Sequence, residues 1–298
     1  MPKLLQISIE VNSGSVGRIA EQIGDVALKQ GWESHITYAR NFNPSKSNVI
    51  KIGTKWDVYL HGLETRIFDN HGFGSRLATF NLLSRIKSLK PDIIHLHHLH
   101  GYFINIEILF NFLKDFNVPV IWTFHDCWSF TGHCAYFDFV GCDKWKSLCY
   151  DCEQKKEYPA SFFFDRSTKN FLEKKEIFNS LKNLTIVPVS YWLSTKVGES
   201  FLSSVPRKVI QNGIDLSLFY PRFNLDLFKS KYLIKNKFII LGVASTWEKR
   251  KGLSEFLKLS KWLDSNLFSI VLVGVSKAQI KNLPGEIIGV ERTESIDE

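Results

Sequence analysis

Apolar residues recur along the chain with strand and helix periods in alternation. Helical spacing follows the first strand until Gly31 and recurs from Ile106 to Leu113, and Ser190 is well placed to cap a later helix. Strands are predicted at residues 4–9, 34–39, 92–96, 118–125 and 184–189. This succession predicts an α/β protein with a doubly wound parallel sheet and right-handed crossovers.

A second, shorter series of the same kind begins near Pro206. Its predicted strands are residues 208–210, 238–244, 268–273 and 286–290, with an apolar helical stripe from Leu253 to Leu263. The pattern predicts one domain over residues 1–205, with a cysteine-rich insertion at about 127–160. A second domain over residues 206–298 has few strands for its class and is expected to be partial.

Composition narrows the range of partners. The 298 residues are 44% hydrophobic and carry a net charge of +8. The basic residues are spread out, which argues against nucleic acid and leaves anionic lipid or phosphorylated substrates as partners. The amino terminus does not resemble a signal peptide, and no apolar run approaches the roughly 20 residues that span a bilayer, so a cytoplasmic location is expected.

A titratable pair, His125 and Asp126, stands at the end of the strand at residues 118–125. Open parallel sheets bind ligands outside the carboxyl ends of their strands, and an imidazole can change its protonation near neutral pH. The pair is therefore a candidate for catalysis. The alternative is a histidine that only caps a turn, which would suit an isolated His better than this pair.

A glycine-containing turn follows the first strand and opens the first helix. It contains Gly14, Ser15, Gly17 and Arg18. Glycines there allow backbone N–H groups to approach an anionic or polyhydroxyl ligand at the positive end of the helix. The spacing is not GxGxxG, so a dinucleotide fingerprint is poorly supported. A plain strand-to-helix turn is the alternative.

Three cations, Lys249, Arg250 and Lys251, lie between a strand and a helix of the second series. Arginine can hold a diphosphate by a two-pronged contact and lysine by its point charge. Cations are otherwise unfavourable at a helix amino terminus, so an anionic partner would explain them. A solvated charge run is the alternative. Asn212-Gly213, taken alone, reads as a turn.

All five cysteines fall between Cys127 and Cys152, which indicates a local feature and not a chain-wide disulfide framework. Four of them, spaced C-x₇-C-x₆-C-x₂-C, are Cys134, Cys142, Cys149 and Cys152. In a reducing cytosol such a set favours a closed structural zinc site over disulfides. The alternative is small buried thiols that pack an aromatic-rich loop. Cys127 is expected to be simply buried.

Two further segments have more than one interpretation. Alternation places His95 and His97 on one strand face where they could bind a metal, although separately hydrogen-bonded histidines are the simpler explanation. Basic residues between Lys155 and Lys175 are interleaved with aromatic residues, which are Tyr158, Phe162, Phe163, Phe164, Phe171 and Phe178. Such a surface can rest on anionic lipid, and core packing of the aromatics beneath a solvated lysine face explains it equally well.

Taken together, these motifs resemble the family-4 retaining glycosyltransferases of the GT-B fold, particularly the bacterial branch that builds capsule and exopolysaccharide repeat units. The resemblance is carried by SGSVGR (13–18), DIIHLHHLHGYF (92–103), TFHDCWSFTGHC (123–134), PVSYWL (188–193), QNGID (211–215) and KRKG (249–252). It implies two Rossmann-like domains that move a sugar from a nucleotide-sugar donor to a glycan or lipid-linked acceptor with retention. A lipid-linked acceptor would favour peripheral contact with the inner face of the membrane.

The resemblance also implies roles for individual residues. The donor side comprises Gly14, Ser15, Gly17, Arg18, Asn212, Lys249, Arg250 and Lys251. His125 and Asp126 would lie near the reacting carbon, and His98, His100 and Tyr102 would border the acceptor. Fixed cations would stabilise the departing nucleoside diphosphate, whose charge grows as the bond breaks, so no catalytic cofactor is implied.

Two departures from the family pattern bear on activity. The position of an arginine that usually follows a strand-end glycine is occupied here by Thr246. The family's pair of glutamates lies downstream of the second βαβ unit, and this chain ends first. We therefore expect little or no transfer by this chain alone. A GT-B nucleotide-sugar epimerase and a non-catalytic binding remnant are the other functions left open.

Overall fold

A six-stranded parallel sheet organises the amino-terminal part of the computed structural model, which describes residues 1–221, 226–234 and 237–293. Its strands are β1 (Lys3–Ile7), β2 (Glu33–Tyr38), β3 (Asn48–Lys51), β4 (Ile93–Leu96), β5 (Val120–Phe124) and β6 (Leu184–Pro188). They lie in the order β3-β2-β1-β4-β5-β6, and every pairing is parallel. The predicted doubly wound parallel sheet is therefore confirmed.

Helices connect these strands. They are α1 (Gly14–Lys29), α2 (Lys55–Phe68), α3 (Arg76–Leu89), α4 (Ile106–Phe116), α5 (Ser167–Asn179) and α6 (Tyr191–Glu199). The Ser190 hydroxyl accepts a hydrogen bond from the Leu193 N–H at 3.1 Å, so the predicted cap of α6 is confirmed. In the described part of the chain, no helix combines the length and the apolar character needed to cross a membrane.

A second, smaller unit contains a three-stranded parallel sheet. Its elements are α7 (Asp226–Lys231), β7 (Phe238–Val243), α8 (Leu253–Leu259), β8 (Phe268–Val273), α9 (Lys277–Lys281) and β9 (Ile287–Val290), and its sheet order is β7-β8-β9. One core cluster is built from Trp247, Ile270, Leu272, Val275 and Ile287. The Trp247 indole donates to the Val273 carbonyl at 2.9 Å, which fastens the loop after β7 to β8.

The two units are Met1–Gly213 and Ile214–Glu298, so the boundary lies beyond the predicted junction at residues 205 and 206. The segment after Pro206 belongs to the first unit because it remains hydrogen-bonded along β6. The Lys208 N–H donates to the Ile186 carbonyl at 3.0 Å, and the Ile210 N–H donates to the Pro188 carbonyl at 3.2 Å. The prediction of a strand at residues 208–210 is wrong, because this segment is not a regular strand and follows a single isolated bridge between Arg207 and Ile186.

The long loop between β5 and α5 is irregular, yet it packs into the main core. Short 3₁₀ turns interrupt it, and its large aromatic side chains, among them Trp128, Phe130 and Trp145, are buried. The aromatic residues after residue 160 differ in exposure. Phe171 and Phe178 are buried in the core, whereas the side chains at residues 162–164 are exposed.

Lys174 on α5 holds part of this loop in place. Its side chain is buried, and its ammonium donates to the Trp128 carbonyl at 2.8 Å and to the Thr131 carbonyl at 3.1 Å. The same nitrogen lies 3.5 Å from the centroid of the Trp128 ring. Burial lowers the pKa of Lys174 to about 7. The lysine therefore fixes the loop directly after His125 and Asp126, at a cost in desolvation that the two carbonyls and the ring offset.

Replacement of Lys174 by methionine should destabilise the first unit. Methionine fills similar space but cannot donate to the two buried carbonyls, so the free energy of unfolding should fall by about 1–3 kcal/mol. The neighbouring Lys175 is exposed, and Lys175→Met should change stability by no more than about 0.5 kcal/mol. Urea denaturation of both variants measures the difference. Equal midpoints for the two would show that Lys174 does not anchor the loop.

Candidate functional site

The connections of the six-stranded sheet reverse direction between β1 and β4, and a pocket of about 260 Å³ opens beside the residues that follow these strands. In open parallel sheets this switch point is where ligands bind. The pocket is lined by Ile9, Glu10, Gly14, Ser15, Val16, Gly17, Arg40, His98, His100, Gly101 and Tyr158. The glycine turn and two of the predicted acceptor-side histidines therefore meet in one place.

The backbone of the glycine turn requires its glycines. Gly14 has φ of +59°, and a Cβ there would lie 2.6 Å from a carboxylate oxygen of Glu10. A Cβ on Gly17 would lie 3.1 Å from the Glu10 carbonyl oxygen. Within the described residues, the Ser13 side chain does not cap α1, and the first turn of α1 contains no acidic residue. The positive end of α1 is thus left available to an anionic or hydroxyl-rich ligand.

A buried carboxylate, Asp126, organises the histidine wall of the pocket. Its Oδ2 lies 2.7 Å from His100 Nε2 and 3.4 Å from His98 Nε2, and its Oδ1 accepts from the Trp128 N–H at 3.0 Å. Burial favours the neutral acid, but the charge and hydrogen bond of His100, with His98 and Trp128, hold the pKa of Asp126 well below its ordinary value. An ionised carboxylate only accepts hydrogen bonds, so His100 donates from Nε2.

The second nitrogen of His100 reaches Tyr158. His100 Nδ1 lies 2.8 Å from the Tyr158 hydroxyl. In the tautomer that carries its proton on Nε2, toward Asp126, Nδ1 can accept from the tyrosine hydroxyl. This chain of contacts can orient a hydroxyl group that enters the pocket. Asp126 contacts His100 and does not itself line the pocket.

His125 is half-buried next to the histidine wall and is not part of the pocket lining. Its ring is 5.1 Å from that of His98 in an edge-on arrangement and 6.0 Å from that of His97, and its Nε2 has no hydrogen-bond partner among the described residues. Burial lowers the pKa of His125 to about 4, against the opposing charge of Asp126. Burial, assisted by His100, lowers the pKa of His98 to about 3. Both rings are therefore neutral at physiological pH.

Other predicted site residues lie elsewhere. Arg18 is exposed on α1, and Tyr102 is buried with the guanidinium of Arg40 5.4 Å from its ring centroid, outside the pocket lining. Asn212 lines a separate, largely apolar pocket of about 540 Å³ in the first unit, together with residues of β4 and β5. In the second unit Lys249–Lys251 form a 3₁₀ turn before α8.

His95 and His97 are hydrogen-bonded separately, as the simpler interpretation holds. His95 Nε2 lies 2.7 Å from the Thr123 hydroxyl, and His97 Nε2 lies 3.0 Å from the Gln6 side-chain oxygen. Both rings are buried, and burial lowers the pKa of His95 to about 4. Their polar contacts fasten the central strands to one another.

The cysteines of the β5–α5 loop approach one another without a complete ligand set. The neighbouring Cys134 thiol lowers the pKa of Cys152 to about 7, and the Gly132 N–H donates to Cys149 Sγ at 3.3 Å. Over the described residues, one group of three or more His, Cys, Asp or Glu side chains has all its potential metal-ligand atoms within 4.8 Å of each other. This group consists of His98, His100 and Asp126 and contains no cysteine. Their mutual contacts already account for that group. Cys127 is buried, as expected.

Three polar pocket residues, Glu10, Arg40 and Tyr158, were not predicted to belong to the site. Glu10 and Arg40 follow β1 and β2, so their positions after strands that end at the same sheet edge were the available signal. Tyr158 comes from the long irregular loop, and no periodicity indicates where such a loop will fold back. Its position depends on the burial of the loop's aromatic residues.

Solved structures share the architecture of this chain. The structure is similar to sucrose-phosphate synthase from Thermosynechococcus elongatus, with a TM-score of 0.62, 13% identity and coverage of 98% of this chain and 71% of that chain. It is also similar to Anabaena HepE in complex with UDP and glucose, with a TM-score of 0.56, 12% identity and coverage of 99% of this chain and 70% of that chain. A third similar structure is WaaG, a glycosyltransferase involved in lipopolysaccharide biosynthesis, with a TM-score of 0.57, 10% identity and coverage of 98% of this chain and 70% of that chain. These similarities confirm the GT-B class of fold.

The family follows from the sequence itself. A model of Glycosyltransferase Family 4 matches residues 16–218, which is more than half of the chain, and the chain belongs to this family. It is 28% identical over 229 residues to WcaC of Escherichia coli strain K12, which is named as a colanic acid biosynthesis glycosyl transferase. The match covers 72% of this chain and 55% of that protein, so this chain spans about half the length of its relative.

Acid should unfold the protein through its buried neutral histidines. Histidine has a pKa of 6.5 when exposed, against about 4 for His125 and His95 and about 3 for His98 in the fold. The unfolded chain binds more protons below about pH 6.5, so the free energy of unfolding should fall as the pH drops toward about 4. Urea midpoints across this window should fall less steeply for His125→Asn than for the parent. Identical slopes would contradict a buried neutral His125.

Proposed function

We propose that this protein transfers a sugar from a nucleotide-sugar donor to a glycan or lipid-linked acceptor, with retention, in bacterial surface polysaccharide synthesis. The observation that carries the proposal is the switch-point pocket, where the glycine turn of α1 and the histidine wall of β4 meet within a Family 4 chain. The name of the relative WcaC supports the polysaccharide context. The UDP and glucose bound to HepE support a nucleotide-sugar donor.

In this proposal the first turn of α1 faces the donor. The backbone of Gly14, Ser15 and Gly17 would approach the donor phosphates. A side chain at position 14 or 17 would come into close contact with Glu10, so glycine keeps the turn open there. Fixed N–H dipoles of this kind stabilise charge without reorganising as the bond breaks. Arg18, exposed on the same helix, would add long-range attraction for the diphosphate.

On the acceptor side, His98 and His100 would contact sugar hydroxyls. Asp126 would hold His100 in one tautomer, with Tyr158 as the outer partner. A hydroxyl held in this way loses little entropy at the moment of attack. His125, next to His98, would act on the donor sugar near the reacting carbon.

The leaving group would be stabilised by the second unit. Lys249 and Lys251 are exposed and Arg250 is half-buried, in a turn that ends at Gly252 with φ of +77°. Cations that bind the diphosphate more strongly as its charge grows accelerate the step. We propose that these residues, together with Asn212, contact the nucleotide-sugar and that catalysis needs no separate cofactor.

An assay with labelled nucleotide sugars tests this function. Any product should form slowly, should depend on a glycan or lipid-linked acceptor and should retain the anomeric configuration. His125→Ala should lower the rate by about a hundredfold. Gly285→Ala is the control, because a Cβ there meets no atom within 4 Å, and it should leave the rate unchanged. Products from donor alone would indicate an epimerase, and a folded protein without products would indicate a binding remnant.

We also propose structural zinc at Cys134, Cys142, Cys149 and Cys152. The thiol contact between Cys134 and Cys152 and the N–H donated to Cys149 support this, because donors to sulfur commonly orient thiolate ligands. Zinc would bind the thiolates and draw the four sulfur atoms together, which would brace the loop that carries Tyr158.

Native mass spectrometry of gently purified protein should show about one zinc ion per chain. Cys152→Ser should lose the ion because a hydroxyl is a much poorer ligand than a thiolate. Cys127→Ser should keep it, since Cys127 stands outside the proposed ligand set. Parent protein without zinc would rule the site out.

The proposed acceptor sets the location. A lipid-linked glycan is reached at the cytoplasmic face of a membrane, so we propose a cytoplasmic protein with peripheral membrane contact and no nucleic-acid partner. The exposed aromatic side chains at residues 162–164, with Lys155 and Lys156 nearby in sequence, support such contact.

A further inference from the structure

Arg40 is the one arginine or lysine among the residues that line the switch-point pocket. Its backbone is fixed beside the segment that follows β1, since the Arg40 N–H donates to the Ile9 carbonyl at 3.1 Å. The next residues continue this pairing, and the Val11 N–H donates to the Asn41 carbonyl at 3.1 Å. The pocket therefore carries one permanent positive charge on a backbone that is hydrogen-bonded in place.

No acid in the described part of the chain pairs with this charge. The Arg40 guanidinium forms no ion pair and no side-chain hydrogen bond there, and it lies 5.4 Å from the centroid of the Tyr102 ring. Glu10, the carboxylate of the pocket lining, instead accepts from the Asn41 side-chain nitrogen at 2.6 Å. The guanidinium thus has its hydrogen-bond donors available to a ligand.

A second guanidinium lies against the same ring. Arg66 on α2 is exposed, is 5.9 Å from the Tyr102 centroid and likewise has no ion pair among the described residues. The nearby acid Glu64 accepts a hydrogen bond from the Asn70 side chain. Two like charges beside one ring repel each other, and an anion bound next to them offsets that repulsion.

The other polar groups of the pocket suit uncharged hydroxyls. His100 Nδ1 lies 2.8 Å from the Tyr158 hydroxyl, and His98 Nε2 is without a hydrogen-bond partner among the described residues. The carboxylate behind this wall, Asp126, contacts His100 and does not line the pocket. Imidazole and phenol groups hydrogen-bond to any sugar hydroxyl, whereas a guanidinium pairs with an oxyanion by a two-pronged contact. Arg40 is therefore the residue that can give this pocket a preference for charge.

We propose that Arg40 selects an acceptor that carries an oxyanion, either the carboxylate of an acidic sugar or the phosphate that joins a glycan to a lipid. Both groups match the planar fork of a guanidinium, and a neutral sugar leaves that fork unpaired. The inference rests on the proposed function, because it takes the histidine wall to face the acceptor.

Arg40 acts on the same side of the pocket as this wall. Burial raises the pKa of Tyr158 well above its ordinary value, and the charge of Arg40 opposes that rise. Because Tyr158 also contacts His100, an oxyanion on Arg40 and a hydroxyl on the histidine wall can belong to one ligand.

Saturation-transfer NMR with the complete 298-residue chain tests the proposal. The probes are methyl glucuronide, glucose 1-phosphate and the neutral methyl glucoside, each titrated with and without UDP. The parent should bind an anionic probe at least about tenfold more tightly than methyl glucoside, because a charge-assisted pair adds to the shared hydroxyl contacts. A preference for methyl glucuronide identifies an acidic sugar, and a preference for glucose 1-phosphate identifies a linking phosphate.

Arg40→Gln should lose this preference and bind methyl glucoside as the parent does. The Arg40 side chain is exposed, so circular dichroism should show an unchanged fold. Arg85→Gln is the matched control, because Arg85 is exposed on α3 and lies outside the pocket lining. This variant loses the same charge from the first unit and should keep the preference.

Equal affinities of the parent for all three probes, or a preference that survives in Arg40→Gln, would overturn the proposal. A preference that UDP abolishes would also overturn it, because Arg40 would then hold the donor diphosphate. None of these measurements requires turnover. The transferase assay and the anion preference can therefore fail independently of each other.

Discussion

One buried carboxylate determines how the ends of two neighbouring strands are arranged. Asp126, just after β5, is fastened to His100 beyond β4 and to the backbone of Trp128. An ionised group in the interior must be paired, because its desolvation would otherwise cost several kcal/mol. The histidine wall of the pocket therefore has one arrangement that satisfies Asp126, and that arrangement presents His98 and His100 to the glycine turn of α1.

The irregular loop after β5 supports this arrangement from behind. Lys174 holds the Trp128 and Thr131 carbonyls, and the buried aromatic residues of the loop carry Tyr158 back to His100. A long loop without regular structure is unusual in a compact unit unless it serves a site. Here the loop supplies Tyr158 to the pocket, and residues 162–164 of the same loop reach α2. The candidate site and the proposed membrane surface are thus connected through one segment.

Elements that are buried along their whole length were predictable from the sequence, whereas elements with an exposed apolar face were not. The strands β1, β4, β5 and β6 are apolar on both faces, as central parallel strands must be, so their hydrophobic runs were visible. Helices α2 and α3 were not predicted. The apolar positions of α2 face the solvent, so its pattern does not report on the core. The sequence did not reveal that residues 206–210 stay hydrogen-bonded to β6, because backbone hydrogen bonds leave no signature in hydrophobicity.

The chain by itself determined its fold class, its family and the strand ends where chemistry is expected, because these follow from local periodicity and short motifs. The tertiary structure alone decided which of these residues share a pocket. It joined Glu10, Arg40 and Tyr158 to the predicted histidines, and it placed Asn212 in a different pocket. Contacts between residues distant in sequence depend on how helices and loops pack, and a one-dimensional pattern does not encode the direction in which a packed side chain points.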